Sequence, residues 1–96
     1  MNKPKDFKSA IEFLLVEQPD LTIRQIGVLI NCAESPQTVR GLSTIMKTNK
    51  PAITRAIDKL ESLSFVVRKT DKDDRRLVNV SITQKGKKFL RQLGRL

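Results

Sequence analysis

The sequence has 96 residues, of which 39% are hydrophobic and 30% are charged. This balance is typical of one small soluble domain and excludes a disordered tail. Nineteen lysines and arginines oppose 10 acidic residues, so the formal net charge is +9. That charge favours a polyanionic partner, and nucleic acid fits better than an anionic membrane because no long basic amphipathic helix is present.

Several other classes of protein are excluded. No apolar run approaches the roughly 20 residues that cross a bilayer, and no secretory signal opens the sequence, so we expect a cytoplasmic protein. Cys32 is the only cysteine and histidine is absent, which excludes an intrachain disulfide and argues against structural zinc. We find no nucleophile–base pair, metal-ligand cluster or phosphate-binding glycine loop. We therefore predict no enzyme, no catalytic residue, no cofactor and no metal.

The first predicted element is a helix over about residues 6–18. Its apolar positions recur at helical spacing and include Phe7, Ala10, Ile11, Leu14 and Leu15, while Phe13 and Val16 widen the stripe. The width allows two interpretations, which are core packing and contact with another subunit. Together with the apolar residues of the last helix, Phe89, Leu93 and Leu96, it favours a homodimer through the terminal helices.

The second predicted helix begins at a capping box formed by Thr22 and Gln25. We expect this helix to bury Ile23, Ile26, Leu29, Ile30 and Ala33. Gly27 in its interior would allow another helix to approach closely. After a break at residues 34–36, Thr38 caps a short third helix with apolar Val39, Leu42, Ile45 and Met46.

The fourth predicted helix runs over about residues 50–63. Asn49 is its N-cap and Pro51 lies in its first turn, where a missing N–H costs little. One face is apolar and carries Ile53, Ala56, Ile57, Leu60 and Leu63. The opposite face carries Lys50, Thr54, Arg55 and Lys59. Two short helices joined by Lys47 and Thr48 form a helix-turn-helix whose second helix suits a DNA groove. The alternative is an ordinary solvated surface helix.

A basic hairpin follows at once. Residues 65–69 form the first predicted strand, residues 70–76 a charged turn, and Leu77, Val78, Val80 and Ile82 the second strand. A last helix covers about residues 83–96. Arg75 and Arg76 lie near the hairpin tip. The predicted fold is therefore mostly α with a small β-hairpin, a single winged helix-turn-helix domain over residues 1–96.

Four blocks carry a resemblance to a known family. They are Leu21–Gln25, Lys50–Arg55, Asp71–Arg76 and Val80–Gly86. In order and separation they resemble the MarR family of bacterial transcription regulators across residues 21–90. The resemblance implies sequence-specific binding of double-stranded DNA, with the helix over about 50–63 in the major groove and the wing over about 70–76 at the minor groove. It also implies a nucleoid-associated regulator and a short strand at Gln37 and Thr38 that pairs with the wing.

The resemblance also implies site residues. DNA contacts are expected from Thr38, Asn49, Lys50, Pro51, Thr54, Arg55, Lys59, Arg75 and Arg76. Asp74 is expected to brace an arginine of the wing. The alternative function is a winged helix that binds a protein, as an interaction module or regulator partner. Arg55, Arg75 and Arg76 argue against that alternative, because such modules often lack a basic recognition face and wing.

The sequence departs from the family pattern in two places. Family members usually have a longer C-terminal part that builds the dimer above a small-molecule pocket, and this sequence has too little after Thr83 for that. The resemblance therefore supports a small-molecule effector and the family's dimer mode less strongly than it supports DNA binding. Ser64 stands where the family typically has glycine, so either a non-glycine residue adopts the left-handed region or the helix ends differently. For Cys32 we expect a small buried apolar residue, with a redox sensor of the kind some relatives have as the alternative.

Overall fold

The computed structural model describes residues 4–94, with side chains from Phe7 onward. Its elements are α1 (Pro4–Glu17), α2 (Ile23–Glu34), β1 (Gln37–Thr38), α3 (Val39–Ile45), α4 (Lys50–Ser62), β2 (Val66–Thr70), β3 (Val78–Ile82) and α5 (Gln84–Leu93). The predicted winged helix-turn-helix is confirmed. Among the described residues, no helix is long and apolar enough to cross a membrane.

The predicted helix limits need small corrections. The first helix covers residues 4–17 and not 6–18, and the fourth helix ends at Ser62 and not at residue 63. The last helix covers 84–93, because Thr83 is its N-cap and Gly94 ends it in the left-handed region. Residues 95 and 96 of the predicted helix lie outside the described residues.

Side-chain caps determine where four helices begin. Each cap has extended backbone and accepts a hydrogen bond from the amide three residues later, at 2.8–3.1 Å. The caps are Thr22, Thr38, Asn49 and Thr83. The predicted capping box is confirmed, since the Thr22 amide also donates to Gln25 Oε1 at 2.9 Å. Each such cap stabilises a helix by about 1 kcal/mol.

The three strands form one antiparallel sheet in the order β1-β3-β2. The expected strand at Gln37 and Thr38 is confirmed, with Gln37 opposite Val80. Arg68 also lies opposite Val80, on the other side of β3. Val66 and Val80 are fully buried, so one face of the sheet closes the core while the hairpin extends beyond it.

The core is organised around α4. Ile53, Ile57 and Leu60 are fully buried, as predicted, whereas Leu63 is the C-cap and only half-buried. The prediction for Ile23 was wrong, because this side chain is 89% exposed. Ile23 and Cys32 are nine positions apart on α2, which is two and a half helical turns, so they lie on opposite sides. Cys32 is on the buried side, and Val28 there was missed.

Burial explains the chemistry of Cys32. The side chain is 2% exposed, and burial raises the pKa of its thiol to about 12. The thiolate is the reactive form of cysteine, so this thiol is inert at neutral pH. The structure thus supports a small buried apolar residue and argues against the redox sensor.

Three phenylalanine rings attach the terminal helices to the rest. Phe89 stacks on Phe65 with ring centroids 4.7 Å apart and lies 5.6 Å from Phe13. Gly86 makes this packing possible, since a Cβ there would lie 2.4 Å from the Phe65 carbonyl oxygen. At Gly27 a Cβ would lie 2.6 Å from Met46 Cε, the flexible end of a side chain that can move aside, so the packing there depends less on glycine than it does at Gly86.

This packing corrects the expected subunit surface. Phe89 is buried, and Phe13, Leu14 and Leu93 pack on the core, so they are not free for another subunit. Leu96 lies outside the described residues. Phe7, Ile11 and Val16 of the expected surface remain exposed on α1, and so does Leu15. Phe7, Ile11 and Leu15 are spaced four residues apart and make one continuous surface. We name these three residues the α1 stripe.

Both short helices of the helix-turn-helix end without glycine. Lys47 has φ 55° and Ser64 has φ 64°, so the first of the two alternatives for Ser64 is correct. Ser64 donates its amide to Glu61 O and Phe65 donates to Leu60 O, both at 2.9 Å. This pair of bonds is the Schellman motif, which usually has glycine at the left-handed position.

The Ser64 conformation yields a stability prediction. Ser64→Gly should raise the free energy of unfolding by about 0.5–1 kcal/mol, because the left-handed strain of about 1–2 kcal/mol exceeds the entropic cost of glycine. Ser62→Gly is the matched control and should lower stability, because glycine weakens a helical position. Urea denaturation followed by circular dichroism measures both. A loss of stability in Ser64→Gly would contradict the assigned strain.

Candidate nucleic-acid interface

The exposed face of α4 carries the predicted reading residues. The helix buries Ala52, Ile53, Ala56, Ile57 and Leu60. The remaining positions therefore turn outward at helical spacing. The structure exposes Lys50, Pro51, Thr54, Arg55 and Lys59. We name this set the α4 face.

The cations of the α4 face are available to a partner. Within the described residues, no ion pair engages Lys50, Arg55 or Lys59. Their charged groups therefore face solvent. A polyanion can neutralise these groups with its own phosphates.

Two predicted contact residues already have a structural task. The Thr38 hydroxyl accepts from the Gly41 amide at 3.0 Å, and Asn49 Oδ1 accepts from the Ala52 amide at 2.8 Å. Thr38 is half-buried, while Asn49 is exposed. The side-chain oxygen of Asn49 is thus used in the capping hydrogen bond, and its side-chain N–H₂ group is left for an external acceptor.

The sequence interpretation missed Lys47. This residue was assigned only to the connection, yet it is exposed and lies two residues before the N-cap of α4. Its left-handed backbone closes the end of α3, with its amide donating to Thr44 O at 3.3 Å. Its charge beside the predicted helix-turn-helix was the signal that could have marked it.

Asp71 organises the wing loop. Its Oδ2 accepts from the amides of Asp73 at 3.0 Å and Asp74 at 2.8 Å, and its Oδ1 accepts from Asn79 Nδ2 at 3.0 Å. The Asp71 amide donates to Leu77 O at 2.9 Å. The loop between the strands therefore covers residues 71–77, shifted by one residue from the predicted 70–76, and Leu77 lies in the loop and not in the second strand. The bonds from Asp74, Asn79 and Asp73 lower the pKa of Asp71.

The two wing arginines differ in their surroundings. Asp74 accepts from the Arg76 side chain twice, Nε to Oδ1 at 3.1 Å and Nη2 to Oδ2 at 3.2 Å, and from its amide at 3.0 Å. These bonds lower the pKa of Asp74. The Arg76 side chain is still 90% exposed. Arg75 is exposed and has no ion pair within the described residues. The loop thus presents one oriented guanidinium and one unpaired guanidinium.

A further contact ties the hairpin to α4. Arg68 on β2 binds Asp58 with Nη2 to Oδ1 at 2.6 Å, and its Nη1 binds Glu61 Oε1. The sequence interpretation assigned no role to any of these three residues. Helical spacing does place those two acids on one side of α4, but the partner strand is known only once the hairpin has folded back.

The wing network predicts a local effect of mutation. Asp71→Ala should speed hydrogen exchange at the Asp73 and Asp74 amides while changing the urea midpoint little, because the loop is exposed. Asp73→Ala is the matched control, since the Asp73 carboxylate makes no hydrogen bond among the described residues.

The same network has a defined pH dependence. The folded pKa of Asp71 lies below its ordinary 3.8, so its stabilising contribution is present above that value and is lost as pH falls through the lower folded value. Unchanged hydrogen exchange at the Asp73 and Asp74 amides in Asp71→Ala would contradict the stabilising role assigned to the Asp71 carboxylate.

Comparisons with known proteins agree with the fold. The MarR family model matches residues 20–77. No curated protein matches the chain. The regulator BldR from Sulfolobus solfataricus is 31% identical, with a TM-score of 0.78 over 94% of this chain and 64% of that one. Regulator Tm0710 from Thermotoga maritima is 22% identical, with a TM-score of 0.80 over 93% of this chain and 62% of that one.

A DNA-bound structure is also similar. A MepR mutant from S. aureus, bound to an oligodeoxyribonucleotide, is 22% identical, with a TM-score of 0.75 over 94% of this chain and 66% of that one. The chain thus spans about three-fifths to two-thirds of the length of these structures. The family match covers more than half of the chain, and the described residues have the winged helix. The chain belongs to the MarR family.

Proposed function

We propose that this chain binds double-stranded DNA as a sequence-specific transcription regulator. The α4 face enters the major groove, and the loop over residues 71–77 approaches the minor groove or its flanking phosphates. The observation that carries the proposal is the pair of exposed cationic elements, α4 and the wing, on a fold whose relative MepR holds an oligodeoxyribonucleotide.

The dimensions of α4 support this placement. An α-helix with its side chains is about 10–12 Å wide, and the major groove is about 12 Å wide. Arg55 suits a guanine edge or a phosphate, and Thr54 and the Asn49 amide offer shorter polar contacts. Pro51 is an apolar surface in the first turn. Lys50 and Lys59 contact phosphates and neutralise their charge.

The wing supports a second, less base-specific contact. Arg76 is oriented by Asp74, and Arg75 projects without an ion pair in the described part of the chain. Arginines at a narrow minor groove respond to groove shape and negative potential. The alternative function, a protein-binding winged helix, does not account for these exposed cations.

We propose further that two copies pair through the α1 stripe. Phe7, Ile11 and Leu15 are 65%, 41% and 63% exposed, and a continuous apolar surface usually marks an interface. A two-fold pair would place two recognition helices about 34 Å apart, one turn of DNA.

Electrostatic binding predicts a steep dependence on salt. Each phosphate neutralised by a lysine or arginine should add about −0.9 to the slope of log affinity against log salt. Fluorescence anisotropy of a labelled duplex at several salt concentrations measures the slope. An isotherm that is unchanged from low to moderate salt would reject the electrostatic interface.

Two substitutions separate base reading from general attraction. Arg55→Ala should lower affinity for the cognate duplex more than for a scrambled one, since a base-reading arginine contributes about 1–3 kcal/mol of discrimination. Arg76→Ala should weaken both duplexes similarly, and Arg75→Ala likewise. The cognate site comes first from selection out of random duplexes.

Circular dichroism is the folding control for these variants, because all three side chains are exposed and none should be needed for folding. If Arg76→Ala binds the cognate duplex as well as the parent does, the wing assignment is wrong. If Arg55→Ala unfolds the protein, Arg55 belongs to the structure and not to the α4 face.

The dimer proposal has its own test. Leu15→Glu should convert the dimer to monomer in sedimentation velocity, because it places a charge within the apolar α1 stripe. Ile23→Glu is the matched control on α2, where the side chain is 89% exposed outside the stripe, and it should leave the dimer intact. A parent that sediments only as monomer at high micromolar concentration would reject the proposal.

A further inference from the structure

Arg68 joins two carboxylates on the helix that we place against DNA. It binds Asp58 and Glu61, which are three residues apart on α4, while Arg68 itself belongs to β2. Both ion pairs therefore cross from the wing hairpin to the recognition helix. Residues at this spacing lie one above the other on a helix, so one guanidinium fork serves both acids.

The position of Asp58 makes its charge important. Asp58 lies three residues after Arg55 and four after Thr54, which places all three on the same exposed side of α4. The Asp58 side chain is 60% exposed even in its ion pair. An unpaired carboxylate there would lie beside DNA phosphates and repel them.

The charge balance of the helix is close to neutral without Arg68. The exposed charged residues of α4 are three cations, Lys50, Arg55 and Lys59, and two acids, Asp58 and Glu61. Their sum is only +1, and Arg68 raises it to +2 while placing its positive charge next to the acids. Local charge near phosphates controls the electrostatic part of DNA binding.

Fold stability does not account for the arrangement. The side chains of Arg68, Asp58 and Glu61 are 28%, 60% and 43% exposed. Exposed ion pairs contribute little to stability, because solvent screens them and ordering the side chains costs entropy. Removal of Arg68 should therefore leave the domain folded.

We propose that Arg68 is a positioning residue that masks the two carboxylates of α4, which means that its positive charge offsets theirs. It thereby reduces the repulsion between this helix and DNA phosphates. The inference rests on the proposed DNA-binding function. Arg68 acts through Asp58 and Glu61 and contacts no base. Its loss should lower affinity for both cognate and random duplexes, because repulsion between carboxylate and phosphate does not depend on base sequence.

The test compares four variants on one labelled duplex by fluorescence anisotropy. Arg68→Ala should bind about tenfold more weakly than the parent at low salt, and the loss should shrink at high salt as the repulsion is screened. Arg91→Ala on α5 is the matched control, because it removes the same charge from an exposed position outside the α4 face and wing. It should cause a smaller loss.

Neutral acids should rescue the defect. The triple variant Asp58→Asn/Glu61→Gln/Arg68→Ala should bind within about twofold of the parent. The double variant Asp58→Asn/Glu61→Gln should bind at least as tightly as the parent. If the Arg68 ion pairs only hold the hairpin to the helix, both variants should bind more weakly than the parent, because both remove these ion pairs. If the double variant binds tenfold more weakly, masking is overturned.

The remaining outcomes are also decisive. If Arg68→Ala binds as tightly as the parent at low salt, or loses equal affinity at every salt concentration, masking is overturned while the proposed function stands. A parent that binds no duplex overturns the proposed function and this inference with it. If Arg68→Ala fails to fold by circular dichroism, the double variant with Arg68 intact still decides the matter.

Discussion

Burial of one face of α4 is the constraint on which the rest of the molecule depends. Ile53, Ile57 and Leu60 are fully buried, and α2, α3 and β2 all pack against this helix. Removing each such side chain from water is worth about 1.5–3 kcal/mol relative to exposure. Because the apolar face is fixed inward, the rotation of α4 about its axis is fixed too. The orientation of Thr54 and Arg55 is thus a consequence of core packing.

The loop of the hairpin is held by different interactions from those that hold the core. It has little apolar burial, and its shape comes from hydrogen bonds that converge on Asp71 and Asp74. Such bonds are each worth little in water, but together they limit the conformations of a charged loop. A rigid core element and a loop held by polar bonds therefore sit side by side. The Arg68 ion pairs are the polar link between the two.

Much of the fold was predictable because its signals are local. Helical spacing identified the buried face of α4, and the side chains of Thr22, Thr38 and Asn49 marked helix starts. Burial on α2 was less predictable, since Ile23 is apolar yet lies opposite Cys32. Helical spacing alone allowed either side of that helix to face the core, and only tertiary packing decided between them.

The candidate site shows the same division. The exposed side of α4 follows from the position of its apolar side, so Lys50, Thr54 and Arg55 could be placed from sequence. The pairing of Arg68 with Asp58 and Glu61 could not, because it joins residues 7–10 positions apart across a helix end. It depends on the left-handed turn at Ser64 that directs the chain from α4 into β2. Contacts between separate elements, such as this one, give no repeating pattern in the sequence from which they could be predicted.

The buried Cys32 has a practical consequence for the study of motion. It is the only thiol in the chain, and the core shields it from reagents in water. Its modification would therefore report transient opening of the packed interior, with each event recorded as a covalent mass increase. A cysteine introduced on the surface would meanwhile be the sole fast-reacting group. A spectroscopic label could then be attached to the wing or to α4 without first replacing the native thiol.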